Sequence, residues 1–213
     1  MSKRITILGA GPGGYVAALR GAELGARVTV IENDNLGGTC LNWGCIPTKT
    51  LKSSAEAVRK AERLKTYGIN FNGEIQPDFP AIMARKDRVV STLVSGIDKA
   101  FKTGEVTLIK GTGEVVNPHL VRVVDQEGTL REVAGDKLIL ATGSRPQALP
   151  NLSFDGKHIL SSDDVLKLEA IPGKIIILGG GVIGAEFAFI FKQFGSEVTV
   201  VEAMDRLIPL PSV

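Results

Sequence analysis

Three observations on this 213-residue chain predict an α/β protein built on doubly wound parallel sheets. Residues 7–32 and 177–202 align without gaps and are identical at eleven of 26 positions. Each copy reads as an apolar run, a glycine turn, a helical segment, then Val-Thr-Val closing on a glutamate. Between the copies lie two long stretches of helical periodicity and a series of short strand-like runs. Strands alternating with helices favour a parallel sheet covered on its faces.

Composition narrows the field. Hydrophobic content of 44%, charged content of 23% and a net charge of +2 are ordinary for a globular protein. The basic residues are scattered, so nucleic acid is not an expected partner. The N-terminal run "ITILGAGPGG" is broken by glycines and a proline and followed by Arg20 and Glu23, unlike an export signal. "IIILGGGVIGAEFAFIF" contains a glycine triplet and Glu186, which makes it a poor membrane span. Both read better as a buried strand, a turn and a helix, and no membrane association is expected. Two cysteines without an export signal suggest a reducing cytoplasm, where a disulfide is usually catalytic.

Each repeat carries G-x-G-x-x-G between its first strand and its helix. Gly9 and Gly179 allow a tight turn, and Gly11 and Gly181 let the backbone approach a pyrophosphate. Gly14 and Gly184 let the helix pack on the sheet, its N-terminus facing the phosphates. Glu32 and Glu202 each lie 18 residues after the last motif glycine, where a carboxylate accepts hydrogen bonds from ribose hydroxyls. The chain therefore starts two dinucleotide-binding units, and two dinucleotides are expected. Glu202 would accept from the 2′-hydroxyl of NAD and repel the 2′-phosphate of NADP.

Residues 50–66 and 78–102 are expected as helices with solvated charged faces, and Tyr67 to Pro77 as a loop. Residues 106–125 and 130–144 read as strands, with turns at Asn117-Pro118 and near Glu127-Gly128. A boundary is expected near residues 145–150, where Pro146 and Pro150 flank a polar stretch. Residues 149–213 offer only the first half of a second α/β domain. A doubly wound sheet needs more strands, so the chain reads as the N-terminal portion of a longer protein.

Both cysteines fall in "GGTCLNWGCIPTK", residues 37–49. Five residues of regular helix rise about 7.5 Å, and Cα atoms more than about 7 Å apart make no unstrained disulfide. If Cys40 and Cys45 bond, the backbone between them is irregular; Gly44 and Pro47 supply the break. Pro47 suits a helix's first turn, and a helix N-terminus favours the thiolate. His119 and His158 have no ligand spacing relative to the pair, so no metal is expected. A redox pair, a structural disulfide and two unrelated thiols all remain open on these residues alone.

Taken with "GAGPGG", "ATGSRP" and "GGGVIGAE", the cysteine motif resembles the pyridine nucleotide–disulfide oxidoreductases. The resemblance covers the whole chain and is strongest to the dihydrolipoyl dehydrogenase type; glutathione and mercuric reductases, which usually use NADPH, are the alternative. Trp43 and Thr48 stand where those relatives more often carry valine and serine.

The resemblance implies an FAD-binding, three-layer Rossmann-like domain over residues 1–148, with inserted helices and a β-meander. Over 149–213 it implies the first half of a Rossmann-like NAD-binding domain. FAD would be held by Gly9, Gly11, Pro12, Gly13, Gly14, Glu32, Asn33, Gly38, Thr39, Cys40, Gly113 and the turn Thr142-Gly143-Ser144-Arg145. NAD would be held by Gly179, Gly181, Val182, Ile183, Gly184, Glu186 and Glu202. Cys40 would be the interchange thiol and Cys45 the thiol nearest the flavin, with Lys49 and Glu186 an ion pair near flavin N5 and the nicotinamide. Electrons would pass from dihydrolipoamide, carried on a multienzyme complex, through the pair and FAD to NAD. The family's acid–base histidine lies in a C-terminal interface domain of a homodimer; neither His119 nor His158 matches it. A binding module that retains FAD without turnover is a further alternative for these 213 residues.

Overall fold

A computed structural model describes residues 2–208. In chain order its elements are β1 (Arg4–Leu8), α1 (Pro12–Glu23), β2 (Arg27–Glu32), α2 (Gly38–Asn42), α3 (Cys45–Glu62) and α4 (Phe79–Thr103). There follow β3 (Thr107–Asn117), β4 (Leu120–Asp125), β5 (Leu130–Ala134), β6 (Lys137–Leu140), α5 (Ser162–Val165), β7 (Lys174–Leu178), α6 (Val182–Gln193) and β8 (Glu197–Val201). Two compact units divide them: Met1–Cys45 with Val90–Gln147, and Ile46–Val89 with Ala148–Val213.

The first unit is a six-stranded sheet in the order β5-β4-β3-β2-β1-β6. β6, β1, β2 and the start of β3 run parallel, while β3, β4 and β5 form an antiparallel meander. β1 is an apolar run because parallel strands are covered on both faces: Thr6, Ile7 and Leu8 are all buried. β3 belongs to both halves of the sheet. Thr107–Lys110 pair with β2, and Gly111 onward pair with β4. Gly111 is the residue at this change of partner, and a Cβ there would meet Val124 O at 2.5 Å. Leu8, Ile31, Val121 and Val123 make a small core beneath the meander.

The second unit has a two-stranded parallel sheet, β7 beside β8. Its core comes from amphipathic helices. Leu51 and Ala55 of α3, with Val58, follow helical spacing, as do Phe79, Ile82 and Met83 of α4. These faces meet Phe187, Ile190, Phe191 and Phe194 at α6 and its C-cap, and Leu166 beyond α5. Phe79 packs edge-on against Phe194, and Phe187 stacks on Phe191. Lys86 is buried beside this core and donates to Leu166 O at 2.5 Å.

Element boundaries depart from the sequence expectation at α3 and at residues 141–144, which were expected in a strand and carry none, because β6 ends at Leu140. α3 starts at Cys45 and stops at Glu62, and a separate single turn of 3₁₀ helix, Leu64–Tyr67, closes on Gly68 at φ +74°. Residues 69–78 then carry no helix or strand. The short helices α2 and α5 lack the length over which apolar periodicity is readable. α5 is nonetheless well capped: Ser161 accepts from the Asp164 amide, and the Asp164 carboxylate accepts from the Ser161 amide.

Candidate functional site

The two glycine turns are the same structure built twice. β1 pairs β2 from Arg4↔Arg27 to Leu8↔Ile31, and β7 pairs β8 from Lys174↔Glu197 to Leu178↔Val201. The helices begin at matching positions, each after an N-cap glycine with no side-chain cap: Gly11 at φ −69°, ψ −175° and Gly181 at φ −70°, ψ −175°.

The motif glycines have three different causes. Gly9 and Gly179 hold φ of +96° and +105°, where an L side chain is strained. A Cβ on Gly14 would lie 1.8 Å from Gly9 O, and one on Gly184 would lie 2.0 Å from Gly179 O. Those two let the helix close onto its own turn. Gly11 and Gly181 need neither allowance. Their φ suits any residue, a Cβ on Gly11 would meet only Gly38 Cα at 3.7 Å, and one on Gly181 would meet nothing within 4 Å. Glycine at these positions keeps the backbone bare at a helix N-terminus, where an anion can approach the amides closely. The residues present thus fit a dinucleotide's pyrophosphate at each turn.

The closing acids are tied to the turns. Glu32 accepts the Ala10 amide at Oε2 (2.6 Å) and the Asp34 amide at Oε1 (2.7 Å). Glu202 accepts the Gly180 amide at Oε2 (2.6 Å) and the Met204 amide at Oε1 (2.9 Å). The amides of Met204 and then Gly180 hold the Glu202 carboxyl below the usual carboxylate range. The sequence reading assigned both acids to ribose hydroxyls. The structure adds backbone partners, and a carboxylate with four acceptor directions can serve both.

The cysteine segment sits on the first turn. A Cβ on Gly38, whose φ is +55°, would be 2.6 Å from Gly11 Cα, so α2 starts in backbone contact with the turn. Cys40 lies in α2. Trp43 closes that helix, its amide donating to Thr39 O, and Cys45 opens α3. A Cβ on Gly44 would be 3.0 Å from Thr39 O, which makes the tight break between the helices a glycine position. Cys40 is half-buried and Cys45 exposed. Lys49, one turn further along α3, makes a two-pronged ion pair with Glu186 of α6, at 2.6 and 2.7 Å.

Other predicted residues fall as follows. Ala141 continues from β6 against Gly9, so close that a Gly9 Cβ would meet Ala141 O at 2.1 Å. This brings Thr142, Gly143, Ser144 and Arg145, all exposed, to the first turn, and Ser144 O lies 3.5 Å from Thr39 Oγ1. Pro12, Gly13 and Asn33 are exposed at the same end. Gly113 lies in β3, and a Cβ there would strike Leu8 Cδ2 at 2.3 Å, so only its backbone can serve a ligand. Val182 and Ile183 are exposed at the start of α6. Among the described residues, no three of His, Cys, Asp and Glu gather to hold a metal, and no helix is long and apolar enough to cross a membrane. The sequence reading missed Gly37 and Ile208, whose amides donate to Ala10 O (2.9 Å) and Gly180 O (2.8 Å). The glycine pair after Glu32 was the available signal for the first; nothing in the sequence marks the second.

Paired dinucleotide-type turns, one in contact with the helix that carries a cysteine, define an α/β fold of the dinucleotide-binding class. The sequence profile of the pyridine nucleotide-disulphide oxidoreductases matches residues 3–212, and the chain belongs to that family. It is 44% identical over 207 residues to dihydrolipoyl dehydrogenase 2 of Haloarcula marismortui, covering 96% of this chain and 43% of that one. It is 41% identical to a dihydrolipoyl dehydrogenase of Bacillus subtilis, covering 96% of this chain and 45% of that one. The crystal structure of LpdA from Mycobacterium tuberculosis superposes with a TM-score of 0.88 at 31% identity, over 98% of this chain and 46% of that one. The flavoprotein disulfide reductase RclA of Escherichia coli gives 0.80 at 33% identity, over 95% and 42%. The chain spans under half the length of these relatives.

Proposed function

We propose that this chain carries the cofactor turns and the cysteine pair of an FAD-dependent disulfide oxidoreductase that oxidises dihydrolipoamide and reduces NAD+. Residues 1–148 would serve the flavin and 149–213 begin the nicotinamide site, in a homodimeric enzyme of the reducing cytoplasm. The observation that carries the reading is the Gly38–Gly11 backbone contact, which seats the cysteine helix on a dinucleotide turn. The relatives named dihydrolipoyl dehydrogenase support the substrate and the nicotinamide.

In this reading a dihydrolipoamide thiolate attacks Cys40 Sγ of the oxidised pair. The Cys40–Cys45 bond breaks, and Cys45 leaves as a thiolate. The second substrate thiol displaces Cys40 from the mixed disulfide, closing the substrate's ring disulfide, and its proton passes to the departing Cys40 sulfur. Both chain sulfurs end reduced. FAD held at this site would supply an acceptor for those two electrons on their way to NAD+. Gly11 and the start of α1 would hold its pyrophosphate, Glu32 its ribose, and Lys49 would contribute the cation that favours its reduced form. Glu202 would admit the 2′-hydroxyl of NAD.

The test is reduction of the FAD-loaded chain by dihydrolipoamide. The long-wavelength charge-transfer absorbance expected of thiolate against flavin should form in the parent and vanish in Cys45→Ser. Its survival in that variant would overturn the cysteine roles, and a chain that binds no FAD would overturn the reading as a whole.

A further inference from the structure

The backbone of Gly180 is held on both sides. Its N–H donates to Glu202 Oε2 at 2.6 Å, and its C=O accepts the Ile208 N–H at 2.8 Å. Glu202 Oε1 also accepts the Met204 N–H at 2.9 Å, so one carboxylate ties the turn to the strap formed by residues 203–208. The first unit repeats the arrangement with different residues. The Ala10 N–H donates to Glu32 Oε2, the Asp34 N–H to Glu32 Oε1, and the Gly37 N–H to Ala10 O. The glutamate is common to both copies, but the residues around it differ. Ala10 stands against Gly180, while the donor to its carbonyl is Gly37, five residues past Glu32, at φ +92° in one copy and Ile208, six residues past Glu202, at φ +48° in the other, a region that β-branched residues seldom enter.

We propose that Glu202 is a positioning residue for the pyrophosphate as well as a ribose acceptor. Its carboxylate and the strap together clamp the Gly180 backbone, through the peptide units before and after it. That clamp fixes where Gly181 and the first amides of α6 point. Those amides lack intrahelical partners and are the ones an anion meets. The proposal rests on the reading that the second turn takes a dinucleotide. A carboxylate serving only the ribose would matter only to ligands with ribose hydroxyls. A clamp matters to any ligand that places phosphates on the turn.

The test compares ADP with 2′,3′-dideoxy-ADP, which keeps the diphosphate and lacks both hydroxyls. The full chain is used after saturation with FAD, and binding is followed through the amide NMR shifts of Gly181 and Ile183. Glu202→Ala should weaken dideoxy-ADP about tenfold, the effect of one or two lost hydrogen bonds to a charged acceptor. Glu202→Gln, which keeps one carbonyl acceptor, should recover part of that loss. Equal affinity of parent and Glu202→Ala for dideoxy-ADP would overturn the clamp. If the parent binds neither ADP nor NAD+, the dinucleotide reading fails. The clamp is then judged without ligand, by hydrogen exchange at the Gly180 amide. That exchange should quicken about tenfold or more in Glu202→Ala, and an unchanged rate would overturn the proposal.

Discussion

Replacing Gly11 and Gly14 separately by alanine distinguishes a glycine required by the fold from one required by a ligand. A Cβ on Gly14 would lie 1.8 Å from Gly9 O and 2.8 Å from Gly9 C, both backbone atoms. Restoring ordinary contact near 3.4 Å moves α1 off its turn by about 1.6 Å. Overpacking of this kind costs about 1–3 kcal/mol or more, and the melting temperature should fall by about 2–4 °C for each kcal/mol. Gly11 meets only Gly38 Cα at 3.7 Å, at an ordinary φ. Alanine there exchanges one N-cap residue for a poorer one, at about 1 kcal/mol or less. Its methyl group would instead project where the pyrophosphate must approach. A clash of about 1–3 kcal/mol with the ligand lowers affinity roughly ten- to hundredfold. The assays are thermal melts of the ligand-free proteins and FAD titration by quenching of flavin fluorescence. Gly14→Ala should lose stability and binding together, whereas Gly11→Ala should lose binding at nearly parental stability. Gly11→Ala binding FAD within threefold of the parent would refute the reasoning, as would ligand-free Gly11→Ala melting as low as Gly14→Ala.

Lys49→Met should leave stability nearly unchanged, by about 1 kcal/mol or less, because the Lys49 side chain is 56% exposed and such pairs are weak. The same substitution should make the potential of bound flavin more negative by removing a cation that favours the reduced form; an unchanged potential would contradict the proposed role of Lys49. Asp155 gives the pH dependence. Its carboxylate accepts the amides of Ile159, Lys157 and His158, which lower its pKa from 3.8 to about 2. A depressed pKa means the turn's stabilisation is complete above about pH 4 and is lost as pH falls through about 2. The Asp155 carboxyl ¹³C shift should titrate with its midpoint near 2, and a midpoint near 3.8 would show that the turn does not hold those three bonds.

How much of this was legible beforehand depended on distance along the chain. Gly9, Gly11 and Gly14 were readable because strand, turn and helix are consecutive, so spacing alone places them. The motif also gave each glycine its separate role; what was not readable is that Ala141, more than a hundred residues away, supplies atoms that exclude a Cβ from Gly9. Lys49 and Glu186, 137 residues apart, came together only through family resemblance. Glu32 and Glu202 were placed correctly at strand ends. Their bonds to Ala10 and Gly180 depend on side-chain reach across the turn, which no spacing rule encodes.

By itself the sequence determined the duplication, the two glycine turns, the break between Cys40 and Cys45 and the amphipathic faces of α3 and α4. All of these arise from local periodicity and from the conformational range of individual residues. Only the tertiary structure decided that Leu51, Ala55 and Phe79 are buried against the phenylalanines of α6, grouping residues 46–89 with 148–213. An apolar helical face declares that it will be covered, but the hydrophobic effect has no direction and does not say by what.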